Sequence, residues 1–120
     1  MAVLAVLDDL LFRSKIEAAA AHLGVGVMVV ADLASLRQQL ADPSWRSALI
    51  DLDLASEDPI AAVGLIRQLA PALPVVGFGS HVHVDLLARA QQAGCTRVCS
   101  RSAFVRGLHG WLTGVGISEV

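Results

Sequence analysis

The feature that most constrains the fold is a regular alternation of short, mostly apolar segments with segments of helical periodicity. The apolar segments predict five buried strands, Ala2–Leu7, Val25–Val30, Ala48–Leu52, Val75–Phe78 and Arg97–Ser100. The helical segments are Leu10–Leu23, Leu33–Leu40, Glu57 to about Ala70, Val84–Ala93 and Ala103–Leu112. Alternating strands and helices with short connections predict an α/β fold with a parallel sheet, right-handed crossovers and helices on both faces.

The high apolar content has two explanations, and the sequence separates them. Hydrophobic residues make up 55% of the chain and the mean hydropathy is +0.63. A membrane-spanning helix needs about 20 apolar residues. The longest uncharged runs are Ala18–Ala31, which is too short, and Gln68–Val84, which is interrupted by Pro71 and Pro74. We therefore expect no transmembrane helix, and we assign the apolar excess to a sheet covered on both faces.

The length and the cysteines indicate one small domain in a reducing compartment. A chain of 120 residues corresponds to a single domain, which we place at residues 1–113, followed by a flexible glycine-containing tail over 114–120. The N-terminus lacks a basic segment typical of a signal peptide. With two cysteines, Cys95 and Cys99, we expect a cytoplasmic protein with free, buried thiols rather than a metal or redox pair.

The net charge of −2 conceals an uneven distribution. Residues 1–60 carry nine acidic and four basic side chains, whereas residues 61–120 carry two acidic and five basic ones. The two halves therefore have net charges of −5 and +3. Neither value indicates direct binding to nucleic acid or to an anionic membrane.

Charged and polar residues lie where the predicted strands end. In open parallel sheets the functional crevice lies outside the carboxyl ends of the strands. The residues at these ends are Asp8, Asp9, Asp51, Asp53, Ser80 and Arg101. Crowded carboxylates raise one another's pKa unless a cation lies between them, and Mg²⁺ is commonly held by one or two carboxylates with water. The pattern predicts an acidic site for a divalent ion, with helix capping by the aspartates as the alternative.

The sequence resembles the receiver domain of response regulators in bacterial two-component signalling over about residues 2–113. The resemblance is carried by the segments AVLAVLDDLLFR, SALIDLDL, LPVVGFGS, QQAGCTRV and CSRSAF. It implies a flavodoxin-like (CheY-like) (βα)5 sandwich of three layers, with five parallel strands in the order 2-1-3-4-5. It also implies a signalling module rather than an enzyme.

The resemblance assigns roles to the residues at the strand ends. Asp51 lies at the phospho-acceptor position, and Mg²⁺ would be held by Asp8, Asp9, Asp51 and the backbone carbonyl of Asp53. Arg101 lies at the position of the catalytic lysine, and Ser80 is next to the position of the strand-four hydroxyl. The alignment leaves open whether Leu7 or Asp8 occupies the first acidic position.

Several positions depart from the family pattern. Gly79 replaces the strand-four Thr or Ser, Ser102 replaces the proline after the lysine, and Val98 replaces the aromatic residue of strand five. Arg101 has a wider, planar cationic group than lysine. These differences predict an atypical receiver whose coupling between phosphorylation and partner binding is reduced.

Three functions remain open at this stage. In the first, Asp51 attacks the phosphohistidine of a sensor histidine kinase or a small phosphodonor. Mg²⁺ would neutralise the phosphoryl oxygens and Arg101 would pair with the product. In the second, a pseudo-receiver binds a signalling protein without phosphorylation. In the third, a flavodoxin-like domain binds a small ligand.

A basic surface is the predicted interface. It comprises helix four, strand five and helix five, and its residues are Arg89, Arg97, Arg101, Arg106 and His109. In receivers this face commonly mediates homodimers or partner docking. Trp111 is predicted as an interface anchor or as a residue at the edge of the core. His81 and His83 are predicted as exposed loop residues, with a metal or pH-sensing site as the alternative.

Overall fold

The computed structural model describes residues 2–118. The strands are β1 (Ala2–Val6), β2 (Gly26–Val30), β3 (Trp45–Asp51), β4 (Val75–Gly79) and β5 (Arg97–Ser100). The helices are α1 (Leu10–Leu23), α2 (Leu33–Leu40), α3 (Pro59–Leu69), α4 (Val84–Ala93), α5 (Arg101–Arg106), α6 (Leu108–Thr113) and α7 (Val115–Ser118).

The strands form one parallel sheet in the order β2-β1-β3-β4-β5. This order, with helices packed on both faces, confirms the predicted flavodoxin-like (βα)5 architecture. β3 is longer than predicted and begins at Trp45, because its first residues pair with the start of β1, where Ala2 lies opposite Trp45 and Val3 opposite Ser47. The sheet therefore places the ends of β3, β4 and β5 side by side at one edge.

Two hydrophobic cores lie on opposite faces of the sheet, and β1 contributes to both. Leu4 and Val6 face the core beneath α2, α3 and α4. Val3, Ala5 and Leu7 face the core beneath α1, α5 and α6. This double burial explains the apolar strands. No helix within residues 2–118 is both long enough and apolar enough to span a bilayer.

Aspartates fix the start of three helices by accepting backbone hydrogen bonds. Asp9 caps α1, Asp32 caps α2 and Asp58 caps α3. Gly24 ends α1 in the left-handed conformation, with φ of 71°, which favours glycine. Capping, the alternative interpretation of the strand-end aspartates, therefore applies to Asp9.

The last predicted helix, Ala103–Leu112, differs in the structure. The chain forms α5 and α6 instead, and the cap is Ser100, whose hydroxyl accepts a hydrogen bond from the Ala103 backbone at 3.2 Å. Gly107 separates the two helices, and a Cβ atom at this position would lie 2.9 Å from Nε1 of Trp111. The glycine therefore allows the indole to pack against the helix junction.

The structure describes part of the tail predicted as flexible over 114–120, and the flexibility of this segment stays a prediction. Val115–Ser118 form the short helix α7, and Ile117 is buried in the core beneath α1. Residues 119–120 lie outside the described part, as does Met1 of the predicted domain 1–113. The domain boundary at residue 113 stays a prediction.

Candidate functional site

The carboxyl edge of the sheet brings together side chains that follow β3 and β5, the strands on either side of β4. Asp51 is the last residue of β3, and Asp53 follows two residues later. Arg101 is the first residue of α5, directly after β5. The parallel order of β3, β4 and β5 places these residues at the same edge, as the strand-end pattern predicts.

Asp51 is buried and paired. Its side chain is 2% exposed, and its Oδ1 atom accepts a hydrogen bond from Nη2 of Arg101 at 2.8 Å. The same oxygen accepts the backbone N–H of Asp53 at 2.9 Å. The predicted acceptor carboxylate is therefore engaged within the chain by a permanent cation.

Asp53 has more partners than Asp51. Its Oδ2 atom accepts hydrogen bonds from the Ser80 backbone at 2.9 Å and from Nη2 of Arg101 at 3.2 Å. Its Oδ1 atom lies 3.0 Å from Nδ1 of His83. One guanidinium nitrogen thus bridges two carboxylates. His83 lies exposed in the loop before α4, as predicted, and its ring also contacts the cluster. Its position three residues after Ser80 in the same loop is the signal for this role.

The two carboxyl groups have opposite pKa directions. Burial raises the pKa of Asp51, and the Asp53 N–H and the Arg101 charge offset it only in part. Burial also acts upward on the pKa of Asp53, but hydrogen bonds from His83, Arg101 and Ser80 outweigh it and lower this pKa. Burial acts downward on the pKa of Arg101, but the two carboxylates raise it. The guanidinium therefore carries its charge within the cluster.

Aromatic rings hold Arg101 from the other side. Its Cζ atom lies 4.8 Å from the centre of the Phe12 ring and 5.6 Å from that of Phe78. Phe12 and Phe78 are stacked at 5.1 Å, and Phe78 and Phe104 at 3.9 Å. A guanidinium over an aromatic face gains cation–π attraction, which a planar arginine exploits better than a compact ammonium. Arg101 is therefore fixed by both its charge and its shape.

Asp8 and Asp9 are directed elsewhere. Asp8 is exposed, and its Oδ2 atom accepts the backbone N–H groups of Ala55 and Ser56 at 3.1 and 2.9 Å. Asp9 accepts the Phe12 N–H at 3.1 Å as the α1 cap. Leu7, the other candidate for the first acidic position, is 1% exposed in the core.

These contacts engage the side chains predicted as Mg²⁺ ligands within the protein itself. Within residues 2–118, no group of three or more His, Cys, Asp or Glu side chains could hold a metal ion. The four aspartates predicted as metal ligands are therefore not brought together as a set. Because the guanidinium of Arg101 already contacts both Asp51 and Asp53, this arrangement of residues does not fit Mg²⁺. Whether the protein binds the ion stays a prediction.

The strand-four position also differs from the family pattern in its geometry. A Cβ atom at Gly79 would lie 3.2 Å from Cβ of Leu52, so a hydroxyl-bearing residue there would be tightly packed. The hydroxyl of Ser80, predicted as a catalytic group, accepts a hydrogen bond from Val82 within its own loop at 3.4 Å. The backbone of Ser80, rather than its hydroxyl, contacts the site.

Both cysteines are free, and they lie in apolar surroundings. Burial raises the pKa of each thiol, Cys95 and Cys99, to about 11. Trp111 lies at the edge of the core, where it stacks on Phe104 and donates a hydrogen bond to the Phe104 carbonyl at 3.1 Å. The sequence predicted Trp111 either as an interface anchor or as a residue at the edge of the core.

The residues of the predicted basic surface differ in their exposure. Arg89, Arg106 and His109 are exposed and Arg97 is half-buried. In the part of the chain that the structure describes, Arg89, Arg97 and Arg106 form no ion pair. Arg101, which was grouped with them, points its charge into the Asp51 cluster instead.

Comparison with known structures identifies the fold. The receiver domain of NtrX from Brucella abortus matches with a TM-score of 0.83 and 21% identity, covering 98% of both chains. A receiver domain protein (CheY-like) from Methanospirillum hungatei JF-1 matches with a TM-score of 0.82 and 15% identity, covering 98% of this chain and 93% of the other. The receiver domain of the TMAO respiratory system response regulator TorR matches with a TM-score of 0.81 and 16% identity, covering 94% of this chain and 93% of the other.

This chain corresponds to only part of some of these relatives, and the similarity is one of structure rather than of sequence. The chain corresponds to 27% of a longer NtrX chain from Brucella abortus. No protein-family model matches the sequence, and no curated protein sequence matches it. The chain has the fold of response-regulator receiver domains, and it carries an arginine where the resemblance places the catalytic lysine.

Proposed function

We propose that the protein is a pseudo-receiver, a signalling module that binds protein partners without phosphorylation of Asp51 and without Mg²⁺. The observation that carries the proposal is the contact of one Arg101 nitrogen with Asp51 at 2.8 Å and with Asp53 at 3.2 Å. The proposal includes no catalytic activity. We expect a receiver fold without phosphotransfer because Arg101 already pairs with the carboxylate that would accept the phosphoryl group.

A phosphodonor would have to reach the carboxyl group of Asp51, which is almost fully buried and already paired with Arg101. Its Oδ1 atom holds two hydrogen bonds, and its side chain is 2% exposed. Displacing the guanidinium would leave a buried charge unpaired, which costs several kcal/mol. Gly79 offers no hydroxyl to a phosphoryl oxygen.

The basic surface on α4, β5 and α5 is the proposed docking face. Its arginines Arg89 and Arg106 are exposed and without an ion pair in the described part of the chain. Such a face suits an acidic surface of a sensor histidine kinase, another signalling protein or a second copy of this chain. Comparing partner capture by the wild type, by Arg89→Glu/Arg106→Glu and by Lys15→Glu tests this assignment: loss is expected in the double variant only, and equal loss with Lys15→Glu contradicts it.

Mass spectrometry tests the absence of phosphotransfer. The wild type and Asp51→Asn are incubated with Mg²⁺ and acetyl phosphate, and separately with beryllofluoride, beside a receiver domain of established activity. We expect no phosphoryl adduct on either chain and no Mg²⁺-dependent change in amide chemical shifts on adding beryllofluoride.

Two outcomes would overturn the proposal. A Mg²⁺-dependent adduct on the wild type that is absent from Asp51→Asn would establish Asp51 as a phosphoryl acceptor. Visible absorbance of the purified protein would favour the third function, a flavodoxin-like domain with a bound chromophore. The lysine variant Arg101→Lys is a sharper comparison, because an adduct gained only by this variant would identify the arginine as the cause of inactivity.

A further inference from the structure

We propose that the cavity between α1, the β4–α4 loop and α5 is a binding site for a small organic anion with an apolar body. The cavity measures about 610 Å³ and is lined by Phe12, Lys15, Ser80, His81, Arg101, Ser102 and Val105. This volume falls within the range of about 300–1,000 Å³ that is usual for small-ligand sites. The site does not depend on whether Asp51 accepts a phosphoryl group.

The first argument is an excess of hydrogen-bond donors. Asp51 and Asp53 both contact Nη2 of Arg101. Within residues 2–118, the Nε and Nη1 atoms of this guanidinium have no hydrogen-bond partner. Lys15 is exposed and also forms no hydrogen bond or ion pair in this range. The side chain of Arg101 is 31% exposed and lines the cavity.

The second argument is the charge of the lining. It contains two permanent cations, Lys15 and Arg101, and no carboxylate. Asp51 and Asp53 lie behind Arg101 and balance its charge, so Lys15, which has no ion pair within residues 2–118, is the cation left to pair with an anion in the cavity. The hydroxyls of Ser80 and Ser102 and the ring of His81 add further hydrogen-bonding groups. A monoanion that accepts several hydrogen bonds matches this set.

The third argument is the apolar wall. Phe12 belongs to the aromatic stack under Arg101, and Val105 is half-buried on α5. A ring or short aliphatic chain placed against Val105 would remove apolar surface from water, whereas Phe12, which is 8% exposed, is already covered by Arg101 and Phe78. Together, the cationic and apolar walls favour an aromatic or branched carboxylate over a purely inorganic anion.

Nuclear magnetic resonance titration with benzoate tests the site. We expect saturable shifts of the Ser80, Ser102 and Val105 amides, with a dissociation constant of about a millimolar for so small a ligand. Acetate carries the charge without the ring, and benzyl alcohol carries the ring without the charge; both are expected to bind more weakly. Added salt should weaken benzoate binding, because the interaction is partly electrostatic.

Matched variants distinguish the site from general surface attraction. Lys15→Gln should weaken benzoate binding about fivefold, the scale of one exposed charge pair, and Lys15 is exposed, so folding is not at risk. Arg13→Gln is the control, since Arg13 lies on the same helix, pairs with Glu17 at 3.3 Å and does not line the cavity. Equal effects of both variants, or equal binding of benzoate, acetate and benzyl alcohol, would overturn the proposal.

Discussion

Replacing Arg101 by methionine should destabilise the protein by about 2–4 kcal/mol at neutral pH. Two opposite charges with centres about 4 Å apart attract by about 4 kcal/mol near a protein surface. The partial exposure of Arg101, 31%, reduces this figure, whereas the burial of Asp51 at 2% exposure keeps solvent screening low. Removing one partner of a fully buried ion pair costs about 3–5 kcal/mol. Because Arg101 is partly exposed, we expect a smaller loss of about 2–4 kcal/mol. Methionine preserves an apolar stem against Phe12.

The pH dependence of this loss has a definite sign. Burial raises the pKa of Asp51 above its ordinary value of 3.8, so its contribution to stability is complete below that value and is lost as the pH rises through the folded pKa. Without Arg101 the folded pKa rises further, and the loss at neutral pH becomes larger. The difference in the free energy of unfolding between wild type and Arg101→Met should therefore widen from about pH 4.5 to about pH 7.

Urea denaturation followed by circular dichroism measures these free energies. A double-mutant cycle with Arg101→Met and Asp51→Asn should give a coupling energy of about 2 kcal/mol or more. Arg106→Met, on the exposed side of the same helix, is the matched control and should change stability by less than about 0.5 kcal/mol. A coupling energy below about 0.5 kcal/mol, or equal destabilisation by Arg101→Met at both pH values, would refute the internal ion pair.

Three further predictions follow from the geometry. Gly79→Ser should lower the free energy of unfolding by about 1–2 kcal/mol because its Cβ would lie 3.2 Å from a buried leucine. Gly64→Ala, with open space around the new methyl group, should raise the free energy of unfolding by about 0.5–1 kcal/mol. Urea denaturation of both variants measures these changes, and a Gly79→Ser variant as stable as the wild type would contradict the first. With thiol pKa values of about 11, Cys95 and Cys99 should react with iodoacetamide far more slowly in the native protein than in urea, and equal rates would contradict their burial. Asp9→Ala should lower stability by about 1 kcal/mol through loss of the α1 cap without changing any response to Mg²⁺ in a calorimetric titration; a Mg²⁺ response that disappears with the variant would make Asp9 a ligand.

The fold could be predicted because the strands are buried on both faces. In β1, Leu4 faces one core and Val3 the other, so the segment reads as a continuous apolar run whatever its exact register. The start of β3 at Trp45 could not be predicted in this way, because it depends on pairing with Ala2. The break at Gly107 depends on the packing of Trp111, which is also a tertiary contact.

The location of the candidate site could be predicted from the sequence, but the contacts between its side chains could not. The sheet order alone brings Asp51 and Arg101 to one edge, although they are 50 residues apart. Whether an aspartate after a strand binds a metal or caps a helix depends on its side-chain torsion angle, and Asp9 adopts the capping geometry. The packing of the Arg101 guanidinium against the Phe12 ring is likewise a tertiary contact that no local sequence pattern predicts.

The cation in this cluster is part of the polypeptide, and that changes what can regulate the protein. A counter-ion encoded in the chain is present once in every molecule, and neither chelation nor dilution can remove it. Under the proposed function, the charge balance around Asp51 is set at the moment of folding rather than by the concentration of an ion or a phosphodonor. The strength of any signal that such a protein carries would then depend on its abundance, and control would lie in its synthesis and degradation.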